Sequence, residues 1–94
     1  MTRPDPAEGV PAKEHRPLWL IAADIRNNWP KPYFGAFPYI HAMRSLNQIT
    51  EDYGLDSGRS VVAYFLSNAT NWRGEEARRI KAELRDILKG AGYV

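Results

Sequence analysis

Cysteine is absent, which removes disulfide scaffolds, thiol nucleophiles and cysteine-based zinc sites together and leaves the fold to stand on its core. Histidine is scarce: His15 sits in a proline-rich opening stretch, and His41 has no second histidine or carboxylate at ligand spacing. No metal is therefore expected. No apolar run approaches the ~18 residues of a membrane helix, and the polar N-terminus offers no apolar signal segment. A cytoplasmic location without a membrane partner is the expectation. Ser57 and Ser60 lack the G-x-S-x-G context and an identifiable base, and there is no P-loop, no dinucleotide fingerprint and no carboxylate pair singled out by spacing. Neither an enzyme nor a cofactor is expected.

Large aliphatic side chains are also missing from residues 1–16, where only Val10 stands among Pro4, Pro6, Pro11 and alternating charges. That composition predicts a disordered arm. Residues 17–94 remain for a single domain, enough for one hydrophobic core.

Apolar periodicity in that domain is helical. Leu18, Ile21, Ala22, Ile25 and Trp29 form a stripe between Pro17 and Pro30, predicting a helix over 18–29 with Trp19 and Leu20 off its stripe. Tyr39, Ile40, Met43, Leu46 and Ile49 predict a second helix over 38–50, with His41, Arg44, Ser45 and Gln48 opposite. Residues 51–58 read as a loop in which Asp56 or Ser57 caps the next helix, 59–69, whose apolar residues cover most of its circumference. Such a helix belongs in the middle of a small bundle. Thr70 or Asn71 is the expected cap of a last helix over 71–89, which buries Ala77, Ile80, Leu84, Ile87 and Leu88 and ends at Gly90 and Gly92. The predicted fold is an all-α bundle of four helices.

The formal charge of +2 is localised. Residues 1–16 and 17–72 each sum to zero, so the excess lies on the last helix. A helical wheel places Arg78, Lys81, Arg85 and Lys89 on one flank of its apolar stripe and Glu75, Glu76, Glu83 and Asp86 on the other, with Arg79 among the acids. Arg79 stands four residues from both Glu75 and Glu83 and predicts an ion-pair ladder. The basic row is a candidate for phosphates or an acidic partner, although a solvated helix face is its plainer reading. A helix-turn-helix is disfavoured, because Glu75 and Glu76 at the helix start would repel a nucleic-acid backbone.

Aromatic residues concentrate in one place. Trp29, Tyr33, Phe34, Phe37 and Tyr39 lie between Pro30, Pro32 and Pro38 or beside them. Packed inward they staple a loop to the bundle, which is the reading adopted; left exposed they make a protein-binding patch. Trp19, Tyr33, Phe34 and Phe37 are accordingly the partner-binding candidates.

The segments Ala23-Asp24-Ile25-Arg26 through Trp29, Tyr33-Phe34-Gly35-Ala36 with Pro38-Tyr39, Tyr53-Gly54 with Asp56-Ser57-Gly58-Arg59-Ser60, Tyr64 through Ala69, and Trp72-Arg73-Gly74-Glu75 resemble a group of small uncharacterised proteins encoded by bacteriophages of actinobacteria. The resemblance spans about residues 18–89. It implies a phage accessory product in a bacterial cytoplasm and carries over no activity and no site residue. The expected function is binding of a host or phage protein. The alternative is sequence-tolerant nucleic-acid binding through Arg78, Lys81, Arg85 and Lys89, and a homo-oligomer is compatible with either.

Overall fold

A computed structural model describes residues 15–92. The arm expected over 1–16 falls outside the described residues as far as residue 14. Its last two residues, His15 and Arg16, are bonded to the domain: the His15 ring accepts from the Ile49 amide, and Arg16 reaches Asp24 and Glu83.

Helix α1 (Leu18–Asn28) starts at Pro17, whose carbonyl accepts from the amides of Leu20 and Ile21. Its two first amides find acceptors elsewhere, Leu18 at the carbonyl of Asn47 and Trp19 at that of Leu46. The Trp19 bond explains why the second helix is shorter than predicted. Helix α2 covers Phe37–Met43, entered through a 3₁₀ turn over Phe34–Ala36. A helix continued to residue 50 would need the carbonyl of Leu46 for the Thr50 amide. It serves α1 instead, and the chain tightens through bonds from Ser45 to Ala42 and from Leu46 to Met43. Leu46 and Ile49 are still buried, so the apolar spacing outlasts the helix.

The expected loop over 51–58 contains a hairpin, and the domain is mostly helical rather than all-α. Strand β1 (Asp52–Tyr53) pairs antiparallel with β2 (Asp56–Ser57), Asp52 opposite Ser57 and Tyr53 opposite Asp56. Gly54 enters the two-residue turn at φ +62°, as a tight hairpin turn of this kind requires. Gly58 packs so closely that an added Cβ would stand 2.6 Å from the carbonyl oxygen of Ile49 and 2.8 Å from that of Glu51.

Helix α3 (Gly58–Ser67) is capped by Ser57, whose Oγ accepts from the Ser60 amide at 3.0 Å. It buries Val61, Val62 and Phe65 but exposes Tyr64, so it is a flank of the bundle rather than a helix enclosed on all sides. Helix α4 (Glu75–Gly90) begins four residues later than predicted, after Gly74 at φ +112°, and neither Thr70 nor Asn71 caps it. The intervening turn is held by Trp72, whose ring stacks on Trp29 at 5.1 Å and meets Phe65 edge-on at 6.5 Å. Its indole N–H donates to the carbonyl of Asn28. The predicted stripe of α4 is buried. Helix α1 packs on α2 and α4, and α3 packs on the same two helices. Among the described residues the core contains no buried polar or charged side chain.

Candidate partner-binding groove

Helix α1 presents a different chemistry on each flank of its buried stripe. On the flank toward α4, the Arg16 guanidinium donates to Glu83 at 2.8 and 2.9 Å and to Asp24 at 3.0 Å. Arg79 donates from Nε to Glu76 at 2.8 Å and also reaches Asp24 at 3.2 Å. The predicted ladder through Glu75, Arg79 and Glu83 is thus replaced: Arg79 takes Glu76 one turn back, and Glu83 is claimed by Arg16. Asp24, partly buried between the two helices, stands within reach of both guanidiniums, while Glu76 on the same helix remains the leading partner of Arg79. Burial pushes the Asp24 carboxyl up, but hydrogen bonds from Arg16 and Arg79, together with their charges, outweigh it and hold the group below its ordinary value. The hydrogen bond to Glu83 leads in raising Arg16.

The flank toward α2 has no such seam. An open groove of about 490 Å³ runs there, lined by Trp19, Ala22, Ala23, Arg26 and Asn27 of α1 and by Arg44 just after α2. Trp19 and Arg26 are seven residues apart, two helical turns, and so share this flank. Trp19 is 47% exposed yet fixed, since its indole N–H donates to Asn47 Oδ1 at 2.9 Å and the Asn47 amide in turn donates to Glu51 Oε1. At the other end the Arg26 guanidinium lies 5.5 Å from the Phe37 ring centroid, a cation–π contact. Neither Arg26 nor Arg44 has an acidic partner among the described residues.

The aromatic segment divides between core and surface. Trp29 is buried, Tyr39 is half-buried against Tyr64 at 5.6 Å, while Tyr33, Phe34 and Phe37 are 44%, 76% and 39% exposed. The staple therefore consists of the ends of the segment, and its middle is surface. Phe37 lies beyond the groove, in contact with its lining residue Arg26, and Phe34 sits one turn before Phe37. Tyr33 does not join them: it contacts Phe34 at 5.0 Å and folds over Gly35 toward Asn68 at the end of α3. Arg26 and Arg44 were not among the sequence candidates. Their signal was helical arithmetic, Arg26 seven residues after Trp19 and Arg44 seven after Phe37. Leu55, fully exposed at the hairpin tip, and Tyr64 were missed as surface residues.

The basic row of α4 is not uniform. Arg78, Arg85 and Lys89 are exposed, whereas Lys81 is half-buried and donates to the Trp72 carbonyl at 2.6 Å. Burial, followed by the charges of Arg85 and Arg73, lowers the affinity of Lys81 for its proton. An open depression beside this row is lined by Asn28, Trp29, Pro30, Lys31, Asn71, Trp72 and Arg73.

Among the described residues no group of three or more histidines or carboxylates is placed to hold a metal, and no helix is long and apolar enough to cross a membrane. No protein-family model matches the chain, and no match is found among curated proteins or solved structures.

Proposed function

We propose that this is a non-enzymatic binding protein whose partner is another protein, docked on the face that runs from Trp19 across Arg26 to Phe37 and Phe34. The observation that carries this reading is the exposure of Trp19 in the groove beside Arg26, whose guanidinium lies over the ring of the exposed Phe37, with the exposed Phe34 one turn before it. Trp19 is held by Asn47 and Phe37 by Arg26, so little side-chain freedom is lost on binding. Aromatic and arginine side chains are the residue types that dominate protein interfaces energetically. The resemblance of residues 18–89 to actinophage proteins supports a host or phage protein as the partner and an accessory role in a bacterial cytoplasm.

Selection of a displayed random-peptide library tests the reading. Wild type is expected to enrich peptides that a Trp19→Ala/Phe34→Ala variant of unchanged circular dichroism does not retain. Equal retention by both proteins, or no enrichment by wild type, contradicts it.

A second reading, phosphate contact by α4, draws support from the convergence of Arg73, Lys81 and Arg85. Mobility shifts at low and high salt test it, since phosphate binding weakens steeply with salt. Binding unaffected by reversing Arg85 and Lys89 to Glu contradicts it.

A further inference from the structure

The groove between α1 and α2 carries a chemical preference, and this step rests on the docking reading above. Between Trp19 and Arg26 its lining includes the exposed Ala23, which carries only a methyl group, above the buried Ala22, so a partner can approach α1 closely. Trp19 is its one aromatic lining residue, and Phe37 lies outside it, in contact with Arg26. Its charges are all of one sign. Arg26 and Arg44 line it, and its only other polar lining residue is Asn27. Asp24, the one acid of α1, lies on the opposite flank and is engaged by Arg16 and Arg79. Glu51, behind Trp19, directs Oε1 to the Asn47 amide.

From this geometry we infer that the groove receives an amphipathic helix with an acidic rim: apolar residues against Trp19 and Ala23, and carboxylates against Arg26 and Arg44. The walls are helices with no open strand edge, so an extended peptide finds no backbone ladder to join, whereas a helix lies into such a groove by its apolar stripe. The distance from Trp19 to Arg26 along α1 is about 10 Å, which an occupant of about three turns spans. A second copy of the chain is disfavoured as the occupant. In a two-fold pairing the same surface meets itself, and Arg26 and Arg44 would face their own copies. Nucleic acid is disfavoured as well, because two cations beside the Trp19 ring and the Ala23 methyl offer phosphates little and leave that apolar surface uncovered.

The test uses the full chain, labelled with ¹⁵N, and three probes: a synthetic amphipathic helix of about fifteen residues with glutamates flanking its leucine stripe, the same helix with lysines in place of the glutamates, and an oligothymidine strand. The expected result is binding of the glutamate helix with amide shifts at Ala22, Ala23, Arg26, Asn27 and Arg44. Its affinity should exceed that of the lysine helix by about tenfold or more, and Arg26→Glu/Arg44→Glu should reverse the order. Arg44→Glu alone, which leaves the contact of Arg26 with Phe37 in place, should weaken the glutamate helix by a smaller factor. Equal binding of both helices, or an affinity for the glutamate helix unchanged in both variants, overturns the inference. So does preferential binding of oligothymidine at these amides, or self-association abolished by the double reversal. If no probe binds while library selection still returns peptides that require Trp19, the acidic-helix inference falls and the docking reading stands. If selection also returns nothing, both fall.

Discussion

The two flanks of α1 use arginine in opposite ways. Toward α4, Arg16 and Arg79 close on Asp24, with Glu83 paired to Arg16 and Glu76 paired to Arg79 within α4, so that each of these charges meets an opposite one. Toward α2, Arg26 rests on an aromatic ring and Arg44 stands at the groove edge, neither with an acid among the described residues. The same helix thus has a side whose charges serve the fold and a side whose charges are available to a partner. The tryptophans follow the same division: Trp29 and Trp72 are stacked in the interior, while Trp19 is tethered at its indole nitrogen with its ring at the surface.

Substitutions that should act on one side and not the other are the way to break this comparison. The largest effect is expected at the stacked tryptophan. Trp72→Ala should cost about 3–5 kcal/mol in chemical denaturation, the range of large buried aromatics, whereas Trp19→Ala should cost less, about 1–2 kcal/mol, since half its surface is already in water. A comparable loss at Trp19 would mean that it is a core residue.

The seam comes next. Asp24→Asn should lower stability at neutral pH by about 1 kcal/mol, after allowance for the partial exposure of its arginine partners. The pH dependence has a definite sign. The carboxyl titrates below its ordinary value in the folded protein, so its contribution is complete above the unfolded value, near pH 4, and is lost as pH falls through the folded value. Wild type should therefore lose stability in this acid window more steeply than Asp24→Asn, measured by denaturation at a series of pH values. Parallel curves would show that Asp24 contributes no stability through its charge.

The smallest effects belong to the groove. Arg44→Ala should leave stability within about 0.5 kcal/mol, and Arg26→Ala should cost no more than about 1 kcal/mol through its contact with Phe37. Melting curves check both. A loss at Arg44 as large as that at Asp24 would erase the distinction between the two flanks.

Much of the fold is legible in local spacing, and the failures share one physical origin. The stripes of α1 and α4 repeat with the helical period and are buried as the period predicts. Leu46 and Ile49 keep that period after α2 has ended, because the Leu46 carbonyl that a longer helix would use meets a distant demand, the amide of Trp19. Thr70 and Asn71 have the chemistry of caps, but the next residue, Trp72, turns inward to stack on Trp29, remote in sequence, and α4 begins only after Gly74 at φ +112°. Strands of two residues are too short to show alternation. The site divides in the same manner. Trp19 stood out as an aromatic off the stripe, and its alignment with Arg26 follows from helical geometry alone. The approach of Arg44 and the fixing of the Trp19 ring by Asn47 depend on how α2 returns to the start of α1.

The central claim, that the α2-facing flank of α1 is the binding side of the molecule, is tested most directly by mapping amide shifts as the glutamate helix is titrated into the labelled protein. Shifts concentrated at Ala22, Ala23, Arg26, Asn27 and Arg44 are the result expected. Shifts concentrated instead at Arg73, Lys81 and Arg85 would contradict the account and move the binding surface to α4.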